Sequence, residues 1–202
     1  MFIWHYHLTR FITSAPNMHC LPDDTGVEVA FIGRSNSGKS SALNALTNQK
    51  NLARTSKTPG STKFINLFQV SEGYRLTDLP GYGYSKTSHN TKVQWNSLFV
   101  NYLQSRQSLR GLLILMDIRH PLKKIDLHMI LLAIQNNIEI LILLTKSDKL
   151  SYSSNLIQLN KVRKETAVLS GKIKIELFSA TKKIGVDKLQ QQLNIWYQSP
   201  NL

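Results

Sequence analysis

The sequence predicts an α/β fold: a mixed six-stranded sheet, mostly parallel with one antiparallel edge strand, with helices on both faces. Three observations predict it. Short β-rich runs alternate with stretches whose apolar residues recur every three or four positions, the pattern of crossover units. The runs beginning at Leu112 and Ile138 are continuously apolar, as central strands buried on both faces must be. Between Val70 and Tyr74 only Ser71, Glu72 and Gly73 intervene, too few for a parallel crossover, so those two strands form an antiparallel hairpin.

In chain order, a strand over Val27–Ile32 runs into a glycine-containing loop and then a helix over Ser40–Thr47. The hairpin pairs Phe64–Val70 with Tyr74–Thr77. A helix over Thr91–Gln104 carries Trp95, Phe99 and Tyr102 at i, i+4 and i+7, which reads as one core-facing stripe. Strands Leu112–Asp117, Ile138–Leu144 and Ile173–Phe178 then alternate with helices Lys123–Asn136, Leu156–Leu169 and Val186–Tyr197. Residues 24–198 form one domain on this reading, with 1–23 an N-terminal extension packing on or near it and 199–202 a short tail.

Composition narrows the function classes. The chain has 202 residues, enough for a hydrophobic core without disulfide or metal staples. Cys20 is the single cysteine, which excludes an intrachain disulfide or a cysteine-rich zinc site and fits a reducing compartment, so a cytoplasmic location is expected. The longest apolar runs, Gly111–Met116 and Ile138–Leu144, fall far short of the ~20 residues needed to cross a bilayer, so no membrane association is expected. His5, His7 and Arg10 interrupt the aromatic N-terminus and argue against a leader. The histidines show no metal-binding spacing. Against these bland features stands a large charge surplus: 25 Lys+Arg against 12 Asp+Glu, a formal net charge of +13.

Residues 33–40 read GRSNSGKS, matching G-x-x-x-x-G-K-[ST] between a strand and a helix. Gly33 and Gly38 let the backbone curl so that successive N–H groups face an anion, and the helix N-terminus adds its dipole. In such a loop Arg34, Ser35, Asn36 and Ser37 line the cradle, Lys39 reaches the β- and γ-phosphates, and Ser40 gives its hydroxyl to Mg²⁺. The tetrapeptide Asp78-Leu79-Pro80-Gly81 follows a strand. Asp78 can hold Mg²⁺ through a water, and Gly81 can offer its N–H to the γ-phosphate. By itself D-x-P-G is also a good turn.

Thr145-Lys146-Ser147-Asp148 ends another strand. The Asp148 carboxylate can accept two hydrogen bonds from guanine N1–H and N2–H₂, whereas adenine has an acceptor at N1 and no amino group at C2. The Lys146 stem can lie along the base plane, and Thr145 can tie this segment to the phosphate loop. Phe178-Ser179-Ala180 follows the last strand, where the Ala180 N–H can reach guanine O6. The order, phosphate loop, then a Thr-bearing loop, then D-x-x-G, T-K-x-D and S-A, is identified as that of the GTPase G1–G5 series.

GRSNSGKSS, KTPGSTKFINLF, DLPGYGYSK, LMDIRHPLKKID and TKSD together resemble the EngB family of small ribosome-biogenesis GTPases, over about Phe11 to Tyr197. The resemblance implies a Ras-like P-loop GTPase fold, binding of GTP, GDP and Mg²⁺, weak GTP hydrolysis, a role in assembling the large ribosomal subunit, and a need for the protein in septation and cell division. By position it implies that Gly60, Ser61, Thr62, Lys63 and Phe64 form switch I, with Thr62 a second Mg²⁺ ligand. It makes Asp78–Gly81 switch II and encloses guanine between Thr145–Asp148 and Phe178–Ala180. Lys39, Thr62 and Gly81 are then the groups nearest the chemistry. Two departures from the wider GTPase pattern stand out. Tyr82 occupies the place of the Ras-type water-orienting Gln, which implies slow turnover, and Thr145 replaces the commoner Asn.

Several readings stay open on sequence alone. Residues 48–63 are polar and suit either a nucleotide-ordered switch or a plain connecting loop. Arg119-His120-Pro121 suits either a partner contact or a capped turn. The whole chain suits a GTP-dependent assembly factor for the large ribosomal subunit or its precursor, acting as a monomer. The rival is a basic RNA-binding protein with a regulatory or vestigial nucleotide site; a nucleotide kinase would need a lid that no segment supplies. Arg34 to Lys63 holds six cations and no acid, and Lys161 to Lys188 holds eight cations against three acids. Mg·GTP, with roughly two net negative charges, needs few of these, and the rest suit ribosomal RNA.

Overall fold

The structure, a computed structural model, describes residues 4–53, 64–83 and 89–199. The strands are β1 (Arg10–Ala15), β2 (Val27–Gly33), β3 (Ile65–Ser71), β4 (Tyr74–Asp78), β5 (Leu109–Asp117), β6 (Glu139–Thr145) and β7 (Ile173–Leu177). The helices are α1 (Lys39–Thr47), α2 (His89–Ser105), α3 (Lys124–Gln135), α4 (Tyr152–Thr166) and α5 (Val186–Gln198). Each predicted helix and strand is present, with ends moved by a few residues.

The sheet order is β1-β3-β4-β2-β5-β6-β7. Pairing is parallel from β4 through β2, β5 and β6 to β7 and antiparallel in the β3–β4 hairpin, as the short connection requires. The strand count is corrected from six to seven. The extra strand, β1, lies in the segment read as an extension and pairs antiparallel with β3, so β3 is interior and β1 is the edge. Of its residues only Ala15 is buried, so β1 shows neither an apolar run nor clean alternation. Backbone pairing, which has no side-chain signature, recruits it.

Each face of the sheet carries its own core. Phe99, Tyr102, Met129, Ile130, Leu159 and Val162, from α2, α3 and α4, pack on one face. Ala42, Leu43, Leu189, Leu193 and Trp196, from α1 and α5, pack on the other. The N-terminal segment joins this second core. Trp4 lies 4.2 Å from the Tyr74 ring and 5.0 Å from that of Tyr197, and the Tyr6 hydroxyl donates to Asn194 Oδ1 at 2.7 Å. All the parallel strands end at one edge of the sheet, where ligands bind in folds of this kind.

The opposite edge is closed by polar anchors. Buried Glu28 accepts from Arg106 Nη2 at 3.0 Å and from the Tyr102 hydroxyl. Asp24 accepts the backbone N–H groups of Gln107 at 2.6 Å and Ser108 at 2.9 Å. Burial alone would raise the Asp24 pKa, but the hydrogen bonds from Ser108 and Gln107 and the Arg106 charge outweigh it and hold the carboxyl below its ordinary value. A depressed folded pKa contributes stability above the unfolded value and loses it as pH falls through the folded one. Asp24→Ala should therefore cost about 1–3 kcal/mol at neutral pH, read by urea denaturation. Its deficit against wild type should shrink below about pH 4.

Candidate functional site

Loops from the ends of β2, β4, β5, β6 and β7 converge at the carboxyl edge. The first is the phosphate loop, 33–40. Gly33 is fixed by crowding: a Cβ there would lie 2.8 Å from the Leu115 carbonyl oxygen and 2.3 Å from Ser37 Oγ. Asn36 and Gly38 take positive φ, 59° and 93°, which curls the chain before α1. Ser37 N–H donates to the Arg34 carbonyl at 2.9 Å, closing the turn. Among the described residues no side chain caps α1, so its first N–H groups and dipole face the loop. Lys39 and Ser40 open the helix, Lys39 buried and Ser40 half-buried.

The Asp78–Gly81 segment, expected to be switch II, is laid alongside. Ser35 N–H donates to the Tyr82 carbonyl at 3.1 Å and Tyr82 N–H to the Gly33 carbonyl at 3.2 Å, which seats Gly81 beside the phosphate loop. Asp78 is buried and accepts directly from the Lys39 ammonium. Leu79 and Pro80 are buried too, and the Pro80 carbonyl accepts from Trp95 Nε1 at 2.8 Å. The predicted core stripe thus has a second role at Trp95. The Tyr82 hydroxyl donates to Asp126 Oδ1 at 2.7 Å. Asp126 also faces Arg34 Nε at 3.4 Å, and Arg34 Nη2 donates to the His120 carbonyl at 2.6 Å. The Arg34 backbone stays in the phosphate loop while its guanidinium is turned to this set. Burial raises the Asp126 pKa despite the opposing Tyr82 hydrogen bond and Arg34 charge.

The base-side loops interlock with the phosphate loop. The Thr145 hydroxyl lies 2.6 Å from the Ser37 carbonyl and 3.1 Å from that of Met116, so threonine makes the tie predicted for it. Lys146, at φ 60°, sends its ammonium to the Asn36 carbonyl at 2.8 Å. Ser147 is buried, and its N–H donates to the Phe178 carbonyl at 3.1 Å. Ser179 Oγ donates to Asp148 Oδ1 at 2.6 Å, joining the two segments predicted to flank the base, with Ala180 next along the chain. That hydrogen bond holds the Asp148 carboxyl below its ordinary pKa, so Asp148 stays ionised at neutral pH.

The structure therefore brings together residues 33–40, 78–81, 145–148 and 178–180. Phe64 is exposed just before β3, while Gly60, Ser61, Thr62 and Lys63 lie outside the described residues. Sequence reasoning passed over Asp126 and Asp117. The second ends β5 and pairs with Lys146 Nζ at 2.9 Å. Both sit in LMDIRHPLKKID, a stretch singled out only by resemblance.

Fold and loops together define a Ras-like P-loop GTPase. Residues 28–146 match the MMR_HSR1 family, described as 50S ribosome-binding GTPase. The "Probable GTP-binding protein EngB" of Photorhabdus laumondii is 58% identical over 193 residues, covering 96% of this chain and 92% of that protein. Its namesake in Klebsiella pneumoniae is 56% identical over 194 residues, with the same coverage. The chain belongs to the EngB family. A crystal structure of a probable GTP-binding protein EngB superposes with TM-score 0.69 at 19% identity, covering 85% of this chain and 99% of that one. Aquifex aeolicus Era bound to GDP and aluminium fluoride superposes with TM-score 0.68 at 20% identity, covering 87% and 58%. At those identities the likeness is one of fold.

Proposed function

We propose that the protein binds GTP and GDP, hydrolyses GTP slowly to GDP and phosphate, and acts as a nucleotide-switched assembly factor for the large ribosomal subunit. The observation that carries the nucleotide reading is the interlock itself. Lys146 and Thr145 bond to the phosphate loop and Ser179 bonds to Asp148, so the base side and the phosphate side form one preorganised cleft. On this reading residues 33–40 cradle the phosphates, with Lys39 neutralising the transferred group and Gly81 donating to it. Asp148 accepts from guanine.

Ser40 and Asp78 offer a hydroxyl and a carboxylate, the hard oxygen donors Mg²⁺ takes, so the site fits that ion. They would hold it with Thr62, Asp78 through a water, and the ion would neutralise charge on the β- and γ-phosphates. Slow turnover is supported by Tyr82: its hydroxyl is committed to Asp126 inside the core and does not act as a water-orienting amide would. Tyr82→Phe should accordingly leave kcat for GTP within about threefold while lowering stability by about 1 kcal/mol, measured by phosphate release and thermal melting. A loss of turnover with the fold intact would give the phenol a catalytic part.

The ribosomal role rests on the family description as 50S ribosome-binding and on charge. The eight cations from Lys161 to Lys188 are all exposed, a surface suited to ribosomal RNA. Among the described residues no helix is long and apolar enough to cross a membrane. On this reading the protein is a cytoplasmic monomer, the location supported by its single cysteine, and the family resemblance adds a role in septation and cell division. The catalytic proposal is tested by phosphate release from GTP and ATP with Mg²⁺. Slow release confined to GTP supports it; equal release from both, or none from either, overturns it.

A further inference from the structure

We propose that Asp117 is a positioning residue for nucleotide binding, acting through Lys146, and that Arg119 orients it. This rests on the guanine-nucleotide reading above. Asp117 ends β5, beside the base-side loop, and its carboxylate makes a two-sided clasp. On one side Arg119 Nε and Nη2 grip it at 2.9 and 2.6 Å, with the Arg119 N–H at 3.1 Å. On the other, Asp117 Oδ2 lies 2.9 Å from Lys146 Nζ, the same ammonium that reaches the Asn36 carbonyl at 2.8 Å.

The lysine is thus suspended between a carboxylate and a phosphate-loop carbonyl, which fixes the stem that must lie along the base. A free lysine would spread over many rotamers, and holding one of them before the ligand arrives lowers the cost of binding. The backbone supports the same clasp, since Ile118 N–H donates to the Thr145 carbonyl at 3.0 Å. Burial works against ionisation of Asp117, but the hydrogen bonds from Arg119 and Lys146 prevail, so the carboxylate is charged throughout the neutral range. Arg119, which opens the Arg119-His120-Pro121 stretch that suits either a partner contact or a capped turn on sequence, becomes with Asp117 the outer support of the base clamp.

The test is a double-mutant cycle on full-length protein, read as the dissociation constant of fluorescently labelled GDP. Asp117→Asn and Asp117→Ala should each weaken GDP roughly tenfold, the loss of about one charge-assisted hydrogen bond. In a Lys146→Ala background the same substitutions should change GDP affinity by less than about twofold, because no ammonium remains to be positioned. A purely structural role would weaken binding equally in both backgrounds and would overturn the proposal. Unchanged or tighter GDP binding by the single variants, with wild-type melting temperature, would also overturn it. Should one substitution unfold the chain, the other carries the cycle. Wild-type protein that fails to bind GDP at all would instead sink the nucleotide reading on which the proposal rests.

Discussion

Lys39→Ala should weaken GTP and GDP binding at least about a hundredfold, the largest functional effect expected in this molecule. Lys39 is buried at the start of α1 and, on the proposed reading, is the cation that the phosphate loop presents to its anion. A hydrogen bond between charged groups contributes about 1.5–3 kcal/mol, more where water is excluded, and about 2.7 kcal/mol already corresponds to a hundredfold. The same change removes the partner of buried Asp78, so stability should fall as well. Titration with labelled GDP, run below the variant's melting temperature, separates the two effects. A folded Lys39→Ala protein with full affinity would remove the phosphate-loop assignment.

Asp148→Asn should exchange the base preference. On the proposed reading the carboxylate accepts from both guanine N1–H and N2–H₂, while the amide would offer one acceptor and a misplaced donor. GDP affinity should drop about a hundredfold, since a site built to hydrogen-bond a particular group discriminates strongly against mismatch. Xanthosine diphosphate, which carries a carbonyl at C2, should gain, because the new amide can donate to it. The Ser179 hydrogen bond keeps the wild-type carboxyl below its ordinary pKa, so the charged form persists above that range. Acidifying from pH 8 to pH 5 should not weaken GDP binding through this group, as competition titrations at each pH would show. An unchanged guanine preference in Asp148→Asn would contradict the assignment.

What was legible in the sequence was local. The phosphate loop, the hairpin turn and T-K-S-D are contiguous, and each needs particular residue types at fixed spacing, so pattern carries them into structure. The central strands were legible because burial on both faces imposes an unbroken apolar run. Strand β1 was not, because exposed residues fill it and its place is set by pairing with β3, far along the chain. The supports of the site were hidden for the same reason. Tyr82 and Asp126 are 44 positions apart, and Lys146 and Asn36 are 110 apart. Trp95 was legible as a core residue but not as the donor to Pro80, since one side chain can meet both demands only in three dimensions.

The charge surplus divides along the same lines. Lys39 and Lys146 belong to the cleft, and Arg34 and Arg119 brace it, whereas the cations of α4, β7 and the loops around them face solvent. The proposed nucleotide-governed grip on ribosomal RNA is tested by co-sedimentation with large ribosomal subunits under GTP, GDP and no nucleotide, each across a salt series. The subunit pellet should hold the most protein with GTP, with a steep loss as salt rises. Binding indifferent to both nucleotide and salt would contradict it.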